Sequence, residues 1–199
     1  MKIIYVPGVE AFSNDFVAFE LEYAKAAGAL DGSTVRFEII REKLIVNIEH
    51  EQIEVQKRRF FWNHDNELVM HNFALKKKST APERFGIRLF LSQVDGARNL
   101  GVRYIIVNAA GSPRPGDLNG YYTWARFGFD AELDEYTREE LPAKFASART
   151  LNELMALGGN LWWKNNGYAT EMIFDLRDDS GSMLVLNAYV AELKRIGKL

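Results

Sequence analysis

Residues 82–108 constrain the fold more than any other part of the chain. Pro82 to Leu100 places Ile87, Phe90, Val94 and Ala97 on one helical stripe, and Gly101 stands at its carboxyl-terminal stop. Val102-Arg-Tyr-Ile-Ile-Val-Asn108 follows directly as a strand apolar on both faces, the pattern of an interior strand. Leu68 to Leu75 reads as the strand before the helix. A strand, a helix and a strand in this order make a βαβ unit, whose handedness lays the helix across one sheet face.

Upstream the pattern is different. Lys2-Ile-Ile-Tyr-Val6 ends at Pro7-Gly8 and reads as a short strand or a terminal tail. Phe16 to Leu30 carries Phe16, Phe19, Tyr23 and Ala26 or Ala27 at helical spacing and closes at Asp31-Gly32. Thr34 to Ile48 and Glu54 to Lys78 are rich in Val, Ile and Phe, and Asn63-His-Asp-Asn66 between two apolar runs reads as a hairpin turn. These segments form an antiparallel block.

Downstream, residues 111–118 form a loop, and Asn119 caps a second helix. Thr137 to Phe145 and Ala148 to Leu157 read as short helices broken by Gly158-Gly159, Tyr168 to Leu176 as a strand, and Met183 to Ile196 as a final helix. There is no internal repeat, low-complexity tract or flexible linker, so one domain over 1–199 is expected.

Composition excludes several chemistries. The chain has no cysteine, which removes disulfides, thiolate nucleophiles and cysteine-ligated zinc. Its histidines are scattered at no ligand spacing, so no metal site is expected. A formal charge of −2 and a pI near 6.0 supply no global field toward nucleic acid or an anionic membrane. No apolar run approaches the roughly 20 residues needed to span a bilayer. A cytoplasmic location is the expectation.

Asn119-Gly-Tyr-Tyr-Thr-Trp-Ala-Arg-Phe-Gly-Phe129 concentrates aromatic side chains after the strand 102–108. Core packing accounts for Phe127 and Phe129; Tyr121, Tyr122 and Trp124, with polar tips, suit the wall of a wet cleft. Gly158-Gly-Asn-Leu-Trp-Trp-Lys-Asn-Asn-Gly167 sets Trp162 and Trp163 among turn residues. Adjacent tryptophans point in different directions, so one anchors a core while the other reaches a pocket or partner. His71 shares strand parity with Val69, Phe73 and Leu75, either as a hydrogen-bonded core residue or as a base.

The span from about residue 66 to 129 resembles the core of the GCN5-related N-acetyltransferase (GNAT) family. Carrying the likeness are the strand Leu68 to Leu75, the helix around Gly86 to Leu100 ending Ala97-Arg-Asn-Leu-Gly-Val102, the strand 102–108, and Trp124-Ala-Arg-Phe-Gly-Phe129. That is about a third of the chain. The resemblance implies an α/β (α+β) fold with a mixed central sheet: antiparallel amino-terminal strands, then the βαβ unit, with helices on both faces. Residues from about 130 to 199 extend beyond the family pattern.

It also implies an N-acyltransferase that uses acetyl-CoA or another acyl-CoA and acts on an amine. The family's pyrophosphate turn falls on Ala81, Arg84 and Gly86, where only the last glycine is kept. Lys76, Lys77, Lys78, Arg84 and Arg88 surround that turn and would contact phosphate, with Gly86 and Asn119 completing the cofactor surface. His71 would take the amine proton, with Glu20, Glu22, Asp65 and Glu67 as other bases. Trp124 stands where the family often has its acidic tyrosine, leaving Tyr121 or Tyr122 to protonate the departing thiolate. Trp124, Trp162 and Trp163 would face substrate or partner. The alternative is a GNAT-like binding or inhibitory module without transfer chemistry.

Overall fold

The computed structural model describes residues 1–12 and 16–199, which divide into two compact units, Met1–Ile105 and Ile106–Leu199. A parallel crossover opens the first. β1 (Lys2–Tyr5) and β2 (Thr34–Ile40) run parallel, Lys2 opposite Thr34 and Tyr5 opposite Phe37, with α1 (Phe16–Ala26) between them. The terminal segment is therefore a strand and not a tail. β3 (Lys43–Glu49), β4 (Ile53–Trp62) and β5 (Leu68–Lys77) continue in antiparallel order.

Two turns set this register. Asn63 forms the expected β4–β5 turn: its Oδ1 accepts the Asp65 and Glu67 N–H groups at 3.0 and 2.8 Å, and Asn66 takes φ 57°. The β2–β3 turn is Arg41-Glu42, both in the left-handed region at φ 49° and 62°, as a two-residue hairpin demands. Neither is a usual residue for that conformation.

Alternation then buries Val35, Phe37, Leu44, Val46, Phe60 and Met70 on one sheet face, each 0% exposed. α1 and α2 (Phe85–Asn99) lie over it. Tyr23 sets its ring edge-on to Phe60 at 5.3 Å, Gln56 donates to Ala27 O at 2.8 Å, and Gln93 bonds Asn72. The helices touch at Gly96, where a Cβ would come 2.6 Å from the Lys25 carbonyl carbon, so only glycine permits the crossing. In this unit both helices share one face. Phe19 is exposed and not part of the buried stripe, and the side chain of Phe16 lies outside the described ones.

After α2, Gly101 turns the chain at φ 78° into β6 (Tyr104–Ala109). The Arg103 N–H donates to Leu68 O at 2.7 Å, and its guanidinium meets Glu67 at 3.3 Å. The two strands therefore start side by side, the sense a helical crossover requires.

The second unit holds the rest of β6, then α3 (Gly120–Arg126), α4 (Glu135–Glu140), α5 (Leu151–Ala156), α6 (Asn160–Asn166), β7 (Thr170–Asp175) and α7 (Gly181–Arg195). β6 and β7 are neighbours in the sheet. Asp134, Thr150 and Ser180 cap α4, α5 and α7 through their side chains. The Trp162-Trp163 cluster, expected among turn residues, is the helix α6. Phe129, Phe174, Trp163, Leu151 and Leu186 form the core. Among the described residues the protein is a mixed α/β fold with seven strands and a mixed sheet.

Candidate functional site

The β5–α2 connection is built as an open turn. The Phe85 N–H closes on Pro82 O at 3.1 Å, and Arg84 precedes the helix at φ 63°. No side chain caps α2, and among the described residues the N–H groups of Gly86 and Ile87 have no acceptor. Gly86 has an ordinary backbone, and a Cβ added there would meet nothing within 4 Å. Neither packing nor dihedral geometry calls for glycine in this first turn, where it weakens a helix. What its absent side chain leaves is room for a group to approach the free donors.

The basic residues around the turn are not equivalent. Lys76 is engaged by Glu54 at 2.6 Å, and Arg84 lies 3.3 Å from Glu83. Lys77, Lys78 and Arg88 are exposed, so their ammonium and guanidinium groups are open to a phosphate.

His71 lies on β5 opposite Arg59, its ring edge-on to Phe73 at 5.8 Å. Asn72 faces α2, so alternation puts His71 on the other sheet face. The apolar face expected for His71 is only partly that: Val69 is buried, but Phe73 is 51% exposed and overlain by Arg59 at 5.0 Å. Glu67 pairs with Arg103 at 3.3 Å, and Asp65 lies in the β4–β5 turn. No group of three or more metal-ligating side chains occurs among the described residues.

The aromatic stretch belongs to the second unit. Tyr121 is 3% exposed, donates its hydroxyl to Lys164 O at 2.6 Å, and accepts the Trp163 indole N–H on its own carbonyl at 3.0 Å. Burial, with Tyr122 beside it, pushes its phenol up, away from the range of an acid working near neutral pH. Trp163 is 1% exposed and packs on Tyr121 and Tyr168, so it is the core anchor of the tryptophan pair; Trp162 is half-buried. Trp124 packs edge-on against Phe127 and Phe129 at 5.9 and 5.0 Å.

Tyr122 is different. Its ring is half-exposed, with the Arg126 guanidinium 5.3 Å and the Lys164 ammonium 5.9 Å from the ring centre, and its hydroxyl has no hydrogen bond among the described residues. Asn119 is exposed; its carbonyl accepts the Tyr122 and Thr123 N–H groups, while its side chain meets only the Thr123 hydroxyl at 3.3 Å. Gly128 sits at φ 94° against the Ser182 carbonyl, so the Gly-Phe pair is there for packing.

No family model, curated protein or solved structure matches the chain. The geometry therefore stands alone. Within each unit it groups the predicted residues, Lys77, Lys78, Gly86 and Arg88 at the turn and Tyr121, Tyr122 and Trp163 around α3. A feature the sequence reading missed is a cleft in the second unit of about 600 Å³, with Asp130 and Asn152 in its lining. Its residues come from three distant segments of no recognisable motif.

Proposed function

We propose that the protein is an acyl-CoA-dependent N-acyltransferase, with the cofactor's phosphates on the β5–α2 turn. The observation that carries the reading is Gly86: a glycine without internal cause, beside two backbone donors without acceptors, at the start of a crossover helix. Lys77, Lys78 and Arg88 add charge for the phosphates, and the resemblance to GNAT enzymes supplies the acyl-CoA. His71 takes the proton from the attacking amine, whose nitrogen forms a bond to the acyl carbon as the carbon–sulfur bond breaks. The departing thiolate takes up a proton as the carbon–sulfur bond breaks. The chain has no helix among its described residues long and apolar enough to cross a membrane, and a cytoplasmic pool of acyl-CoA and amine suits this chemistry.

A second reading is favoured by one specific contact. The Tyr121 hydroxyl is held by Lys164 O, and Trp124 replaces the family's acid, which fits a GNAT-like binding module. Acyl transfer from several acyl-CoAs to a panel of amines separates the two. Turnover that falls on His71→Ala supports the enzyme; CoA binding without turnover on any amine supports the module.

A further inference from the structure

The cleft of the second unit has the chemistry of a site for a positively charged ligand. Asp130 lies in its wall, held on both sides of its backbone by Ile173 at 2.8 Å. Asp130 Oδ1 accepts the N–H groups of Ala131 and Asn152 at 3.0 and 2.9 Å, which fixes the carboxylate in the wall. Beside it Asn152 is 6% exposed. Its Nδ2 reaches Ser182 Oγ at 3.5 Å, but its Oδ1 is buried with no hydrogen-bond partner among the described residues. A buried carbonyl oxygen without a donor costs about 1–3 kcal/mol, a cost that a donor brought by a ligand would offset.

The rest of the lining agrees in sign. Glu132 and Asp179 are exposed carboxylates of the cleft, and Arg177 is folded back onto Asp175 at 2.7 Å. The amino end of α7 also opens here. It is already answered by its cap Ser180, whose Oγ takes the Met183 N–H at 3.1 Å, with the carboxylate of Asp179 next in the chain. The lining therefore offers acceptors and negative charge at one place. Burial also pushes the Asp130 carboxyl up, against the Asn152, Thr150 and Ala131 hydrogen bonds that lower it. A cation bound beside it would restore the charged form.

We infer that this cleft binds a small organic amine, its ammonium donating to the Asp130 carboxylate and to Asn152 Oδ1. An ammonium has three donors and no acceptor, which matches two fixed acceptors and an acidic rim. The inference rests on the second unit alone and is independent of acyl-CoA binding at the β5–α2 turn.

The test is calorimetry of the full chain with 1,4-diaminobutane, with inorganic phosphate as the opposite-charge probe and amide NMR to locate the contact. Binding should move the Asn152 side-chain amide signal. Asp130→Asn should weaken it by about tenfold or more, the effect of losing one charge-assisted bond. Should Asp130→Asn fail to fold, the exposed double variant Glu132→Gln with Asp179→Asn should still weaken binding severalfold and flatten its salt dependence. Diamine affinity unchanged in the folded variants, an unmoved Asn152 amide, or tighter binding of phosphate than of diamine would each overturn the inference.

Discussion

The side-chain amides of Asn72 on β5 and Gln93 on α2 exchange both hydrogen bonds, at 3.2 and 3.0 Å, in a site where neither is more than 3% exposed. Gln93 Nε2 also reaches Met70 Sδ at 3.7 Å. This pair fixes how the crossover helix is seated on the strand that leads into the candidate cofactor turn. Gln93→Met leaves the Asn72 amide buried and unpartnered and should cost roughly 1–3 kcal/mol in urea denaturation. Combining it with Asn72→Leu should recover most of that loss, because both polar groups are then gone. A strictly additive double variant would show that the pair is not coupled.

Arg58 on β4 is the least expected core residue. It is 0% exposed, its Nη1 donates to Lys57 O and Ala74 O at 3.1 and 2.8 Å, and its Nε and Nη2 have no hydrogen-bond partner among the described residues. Burial without an acid brings its guanidinium down to about 9. Below that pH both folded and unfolded chains are protonated and the full desolvation penalty stands. Above it the unfolded chain keeps a proton that the folded chain releases, so wild-type stability gains from rising pH. Arg58→Met should therefore be more stable near neutral pH by roughly 1–4 kcal/mol, an advantage that shrinks above about pH 9. A difference constant from about pH 7 to about pH 11 would contradict this titration.

Gly96 tests the helix crossing. Its Cα lies against the Lys25–Ala26 backbone, and backbone does not move aside as a flexible side chain does. Gly96→Ala should lower stability by roughly 1–3 kcal/mol despite alanine's better helix propensity. An unchanged or raised melting temperature would mean that α1 and α2 separate easily.

The two tyrosines should part company. Tyr121→Phe removes the donor to Lys164 O and should cost about 1 kcal/mol of stability with little effect on turnover. Tyr122→Phe removes a hydroxyl with no hydrogen bond among the described residues, so stability should stay the same within about 0.5 kcal/mol. A larger stability loss in Tyr122→Phe than in Tyr121→Phe would contradict this assignment of the hydrogen bond.

Much of the first unit was legible because local signals agreed. The stripe Ile87, Phe90, Val94 and Ala97, the stop at Gly101 and the turn at Asn63 each name one conformation, and each appears in the structure. The Arg41-Glu42 turn was not legible, since charged residues rarely accept φ above zero; here the β2–β3 pairing imposes it. Nor was α6, where two glycines and several asparagines read as turn while the buried Trp163 holds a short helix in place. Nor was the burial of Arg58, whose guanidinium reaches the Ala74 carbonyl on the neighbouring strand. The Asp130 cleft escaped for a related reason: its groups lie on segments near 130, 150 and 175–182, and only tertiary contact joins them.

The central claim, an acyl-CoA site on the β5–α2 turn, is tested most directly by calorimetric titration of CoA into wild type and Gly86→Asp. Aspartate there has open space around it and suits a helix amino terminus, so the fold should be retained. Its carboxylate would occupy the donors and repel phosphate. The account predicts CoA binding by wild type that weakens with salt and is lost in a folded Gly86→Asp variant. Equal CoA affinity in the two proteins, or no binding by wild type, would contradict it.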